Sequence, residues 1–92
     1  MEILKVSHKS APNKVAGAIA GVLSKTGEVE IQSIGAGAVN QAVKAIAIAK
    51  RFIENDGKEL YVIPGFVEVK VGEEERTGIK FKVYIESEEK SE

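Results

Sequence analysis

The stretch SIGAGAVNQAVKAIAIAK, residues 33–50, constrains this chain more than any other. It follows a short alternating run, EVEIQSI at residues 28–34, whose period of two predicts a strand. Gly35-Ala36-Gly37 then turns the chain into a segment of alanine and isoleucine, expected to be helical from about Ala38 to Ile53 and ended by Asn55-Asp56-Gly57. A strand that enters a helix through two glycines is a βα unit, so the fold mixes strands and helices packed in layers.

The rest of the chain repeats this logic. Residues 2–7, EILKVS, predict a first strand, and SHKSAPNK leads to a helix for which Ser10 is the expected cap and Pro12 the first turn. Val15, Ile19, Val22 and Leu23 mark the buried face of this helix, and Gly27 its C-cap. Gly17 and Gly21 cost it roughly 1 kcal/mol each relative to alanine, so something is expected to pack closely against them. After helix two, ELYVIPGFVEVKV and RTGIKFKVYIE form a hairpin around Gly72-Glu73-Glu74-Glu75, with a bend or bulge expected at Pro64-Gly65. The order β-α-β-α-β-β predicts an α/β fold, an α+β two-layer sandwich of two helices on a small mixed sheet. Residues 1–86 form the single domain that 92 residues allow, and the acidic stretch 87–92 is expected to fray.

Composition narrows the class. The chain has no cysteine, and its longest stretch of low polarity, Ala42–Ala49, is far too short to span a bilayer. The N-terminus carries no basic segment followed by an apolar run, and a soluble cytoplasmic protein is the expectation. The net charge is −1, but residues 1–71 hold nine basic and seven acidic side chains, whereas residues 72–92 hold four and seven. Without its acidic turn and tail, the body is mildly basic. One histidine and no cysteine leave no nucleophile–base pair to propose, so no enzyme, catalytic residue, metal, cofactor or small-molecule substrate is expected.

At about 100° per residue, Asn40, Lys44 and Arg51 form one narrow polar stripe on helix two, with Ala47 between them. Val39, Val43, Ile46 and Ile53 lie on one flank, and Ala45, Ile48 and Phe52 on the other. This is more apolar circumference than one sheet contact needs. A second copy of the chain would bury the Ala45, Ile48 and Phe52 flank; helix one covering it is the alternative.

The glycine turn has three readings. Gly35-x-Gly37 begins a dinucleotide fingerprint, with Asp56 about the right distance beyond, but Asn40 stands at the third glycine position and the chain is short of βαβ repeats. Alternatively, the backbone N–H groups of Gly35 and Gly37, with Asn40 and Gln41, cradle a phosphate at the helix N-terminus. In the third reading the glycines serve backbone conformation and close packing alone. Loop one adds the most basic stretch, with Lys5, His8, Lys9 and Lys14 beside the donors Ser10 and Asn13. If the first two strands are neighbours, both helix N-termini point to the same side, and Lys9, Asn13, Asn40 and Lys44 line one surface.

The runs KVSHKSAPNKVAGAIAGVL and EIQSIGAGAVNQAVKAIAIAKRF, with EERTGIKF in the hairpin, resemble the stage V sporulation protein S family over roughly residues 2–86. More distantly, the layout is similar to the Alba family of archaeal chromatin proteins. The Alba resemblance implies a homodimer that lays its first loops and helix-two N-termini on nucleic acid, with hairpin arms reaching along the groove. Lys9 then stands at the loop-lysine position, with His8 beside it and Asn40 and Lys44 following in helix two. Ala36 falls where a basic residue often stands in Alba proteins. The hairpin supplies Lys70, Arg76, Lys80 and Lys82, and three glutamates cap it.

The expected function is a nucleic-acid-binding regulator, dimeric or larger, acting weakly or selectively on DNA or RNA backbone without a membrane partner. The alternative is an assembly module that works in sporulation or cell-envelope regulation without touching nucleic acid.

Overall fold

A computed structural model of the chain describes residues 1–87. Its elements are β1 (Ile3–Val6), α1 (Pro12–Thr26), β2 (Glu28–Ser33), α2 (Ala36–Asn55), β3 (Lys58–Val71) and β4 (Glu74–Ser87). The order β-α-β-α-β-β is the expected one. The tail expected to fray lies outside the described residues, except for Ser87, whose backbone ends β4.

The sheet runs β1-β2-β4-β3. β1 and β2 are parallel, as a βαβ crossover makes them, while β4 is antiparallel to both β2 and β3. Alternation then decides which side chains meet the helices. Val29, Ile31 and Ser33 of β2, with Phe81 and Val83 of β4, are buried on one face of the sheet. Against them lie Ala16, Ile19, Val22 and Leu23 of α1, and Ala38, Ala42, Ala45, Ile46, Ala49 and Ile53 of α2. The buried Ser33 hydroxyl donates to the Ile79 carbonyl at 3.2 Å, so its burial leaves no orphan. Both helices cover the same face, and among the described residues no element covers the other face of the sheet.

Four buried alanines at positions 38, 42, 45 and 49 run along α2. Small side chains there let α1 approach α2 closely. Packing inside the chain therefore takes up Ala45 of the Ala45, Ile48 and Phe52 flank, so the alternative reading of the apolar circumference holds for that residue and not for Phe52. Ala45 is fully buried inside the chain and has no surface left for a second copy. Phe52 remains 49% exposed and Ile48 is half-buried against the core.

Several local expectations are corrected. Ala11, not Ser10, is the N-cap of α1, because the Ser10 hydroxyl accepts the Ser7 N–H at 2.9 Å in a turn of its own. Pro12 does open the helix, and Gly27 closes it in the left-handed region, its N–H donating to Leu23. Gly17 and Gly21 face open space, with nothing among the described residues packed against them. α2 begins at Ala36, two residues earlier than expected, so Gly37 lies inside its first turn.

The hairpin carries no bulge at Pro64-Gly65. Its register is unbroken from Lys58↔Ser87 to Val71↔Glu74, around the two-residue loop Gly72-Glu73. Counting from that loop, Pro64 occupies a non-hydrogen-bonded position, so its missing N–H points away from β4 along the free edge. Between Glu74 and Gly78 β4 pairs with β3 alone, and this end of the hairpin projects as an arm; the molecule measures 53 × 24 × 19 Å.

Candidate nucleic-acid interface

Because β1 and β2 are parallel neighbours, their C-terminal ends lie side by side and both βα connections leave from one edge. The condition on which a shared surface depended is therefore met. Gly35 is the N-cap of α2 at φ 95 and ψ 155, a conformation open essentially to glycine alone. Gly37 has a different task. A Cβ at position 37 would lie 3.0 Å from the His8 Cβ, so glycine here lets loop one close onto the helix.

Loop one is held in three ways. The Ser10 N–H donates to the Ser7 carbonyl at 3.0 Å, and the Ser7 hydroxyl accepts the Lys9 N–H at 3.2 Å. The Gln41 amide of α2 donates to the Ser10 carbonyl at 3.0 Å and reaches the His8 carbonyl at 3.4 Å. Ser10 and Gln41 were expected to offer donors to a ligand. In the structure the Ser10 hydroxyl accepts the Ser7 N–H and the Gln41 amide grips the loop, so both act as positioning residues.

His8, Lys9, Asn13, Lys14, Asn40 and Lys44 are all exposed, the first two on loop one and the others along the helices that begin at this edge. Neither N-cap residue sends a side chain to its helix, and neither helix has an acidic residue in its first turn. Neither first turn thus supplies a carboxylate to the positive end of its helix dipole. Among the described residues the ion pairs gather on Lys50, with Glu54 and, at 3.9 Å, Glu59, which leaves Lys9 and Lys44 without a carboxylate partner.

The other predicted residues lie elsewhere. Arg51 shares the polar stripe but sits about 10 Å farther along α2 than Lys44. Lys70 and Arg76 belong to the arm, on opposite faces by alternation. Lys5, Lys80 and Lys82 alternate onto the open face of the sheet, where Gln32 stands between Lys5 and Lys80. Glu74 and Glu75 lie within β4 rather than in the turn.

That open face holds what the residue pattern did not single out. Tyr61 and Tyr84 stack across β3 and β4, with ring centroids 5.5 Å apart and 24° between planes, and Lys82 Nζ lies 5.8 Å from the Tyr84 ring centre. A groove of about 200 Å³ opens between the ends of β1 and β2 and the arm, lined by Lys5, His8, Gln32, Ile34 and Val69. The alternation of Lys80, Lys82 and Tyr84 was visible in sequence, but the pairing of Tyr84 with Tyr61 needs the hairpin register. Among the described residues no group of three or more histidine or acidic side chains is placed to hold a metal ion. Among the described residues no helix is long and apolar enough to cross a membrane.

The solved structure of Alba from Thermoplasma volcanium is similar to this chain with a TM-score of 0.60, covering 91% of this chain and 98% of that one at 12% identity. At that identity the likeness shows a shared Alba-like fold. The sequence model of the stage V sporulation protein S family matches residues 2–86, and the chain belongs to that family.

Proposed function

We propose that this chain is a cytoplasmic, dimeric regulator that binds nucleic-acid backbone through loop one and the N-terminus of α2. The observation that carries this reading is the edge itself. Two helix N-termini without a side-chain cap open beside a loop pinned by Gln41, with Lys9 and Lys44 exposed and no acidic residue in either first turn. Such an edge suits phosphates, which backbone N–H groups and lysines bind without reading sequence. The sporulation family and the Alba-like fold support the reading. The net charge of −1 and the glutamates near the arm tip favour weak or selective binding over indiscriminate coating.

A dimer would use the apolar surface that α1 leaves open. Phe52 and Ile48 belong to it, and Val62 and Phe66 of β3 alternate onto the same side of the sheet, Phe66 being 78% exposed. The same patch would serve an assembly module that does not touch nucleic acid.

Fluorescence anisotropy of labelled duplex DNA, single-stranded DNA and RNA separates the two readings. Binding that weakens with salt and disappears in the Lys9→Glu/Lys44→Glu variant supports the regulator. Absence of binding to all three at low salt overturns it and leaves assembly.

A further inference from the structure

Among the described residues nothing is packed over the second face of the sheet, yet its side chains are ordered in rows. Lys5, Gln32, Lys80 and Gly65 form one row across the four strands; Ile3, Glu30, Lys82 and Ile63 form the next; Glu28, Tyr84 and Tyr61 the third. Along β4 this gives Lys80, Lys82 and Tyr84 in steps of about 7 Å. Cations thus lead from the groove beside His8 to a stacked pair of aromatic rings.

We propose that this open face is a track for single-stranded nucleic acid, with unpaired bases stacking on Tyr61 and Tyr84 while Lys5, Lys80 and Lys82 follow the backbone. The inference rests on the reading of the chain as a nucleic-acid binder and names the form of its target. Aromatic rings on an exposed sheet bind bases only when the bases are unstacked, because a duplex keeps its base faces inside. Cross-strand stacking alone accounts for the contact between the two tyrosines. It does not account for the lysines that lead to them on a face where no core is built.

Charge sets the direction and the end of the track. Gly65 opposite Lys80 adds no side chain to that row, so it is positive through Lys5 and Lys80. Glu30 lies opposite Lys82 and accepts the Gln32 amide at 2.7 Å, which offsets part of the charge in the second row. Glu28 faces the Tyr84 row and Glu86 follows beyond it, so phosphates are repelled past the tyrosines. At the other end, the groove of about 200 Å³ shares His8 with loop one, which makes the track continuous with the phosphate-binding edge.

The chain carries its own reporter. Tyr61 and Tyr84 are its two tyrosines, and it has no tryptophan, so all tyrosine emission comes from this face. Intrinsic fluorescence and anisotropy would be followed with labelled oligothymidylate, oligouridylate and a duplex of equal length. The wild type is expected to bind a single strand with quenched tyrosine emission. Tyr61→Leu/Tyr84→Leu is expected to lose roughly tenfold or more in single-strand affinity, with duplex affinity unchanged. Tyr61→Phe/Tyr84→Phe, which keeps both rings, is expected to retain single-strand binding and guards against simple misfolding. Equal single-strand affinity in the leucine variant, or binding without quenching, overturns the track. Duplex binding with neither single strand bound overturns the track alone, whereas no binding to any probe overturns the functional reading with it.

Discussion

Gly37 and His8 pack too closely for a side chain at position 37 to fit without movement: a Cβ added there would stand 3.0 Å from the His8 Cβ. Helix two and loop one are therefore spaced by the absence of one methyl group. Gly37→Ala gains helix propensity of about 1 kcal/mol but pushes His8 outward, against the grip of Gln41 on the loop carbonyls. The expected outcome is a melting temperature within a few degrees of wild type and a several-fold loss of duplex affinity. Thermal circular dichroism and anisotropy on the same preparation check it.

Gln41→Leu removes the amide that donates to Ser10 and His8 without changing bulk greatly. The loop carbonyls return to water, so stability is expected to fall by only about 0.5–1.5 kcal/mol. Faster amide exchange at residues 7–10 in NMR or mass spectrometry would show that the loop has been released. Exchange unchanged from wild type would mean that the serine turn holds the loop unaided.

Gly78→Ala tests a tighter contact. A Cβ there would meet the Ser33 carbonyl oxygen at 2.6 Å, a backbone atom that cannot step aside without breaking the β2–β4 register. Overpacking of this kind costs roughly 1–3 kcal/mol, and in a domain of this size each kcal/mol lowers Tm by about 4–8 °C. The thermal melt is expected to drop by a clear margin, unlike that of Gly37→Ala.

Lysines on phosphates leave a signature in salt. On duplex DNA each contact steepens the fall of log K against log salt by about 0.9. Lys9→Gln and Lys44→Gln are each expected to flatten the slope by about that amount, whereas Lys25→Gln, at the far end of α1, should leave it unchanged. Slopes that do not respond to Lys9 or Lys44 would remove loop one from the binding surface.

Phe52→Glu places a charge on the exposed flank of α2 that α1 does not cover. With the side chain already half exposed, the monomer is expected to fold, and light scattering should show a monomer where the wild type forms the proposed dimer. A variant that remains dimeric would remove this flank from the interface.

Much of this was readable along the chain because the relevant periods are local. The period of two in Ile79-Lys80-Phe81-Lys82-Val83 marked both faces of β4, and Gly27 and Asp56-Gly57 marked helix ends. Residues that depend on distant partners were harder. Ser10 looks like a helix cap until Ser7 is seen to claim its hydroxyl. Gln41 looks like a free donor until loop one is seen folded against α2.

What the sequence by itself determined is the order of elements, the family, and the side of each strand and of helix one that must be buried, since all of these follow from residue type and local spacing. Tertiary structure alone decided which apolar flank of α2 is left over and what stands beside what. Ala45 went to α1 because four small alanines permit close helix packing, and no local pattern says which neighbour takes up that space. Tyr61 met Tyr84 because an unbroken hairpin register set them opposite one another, and register is a property of two strands at once.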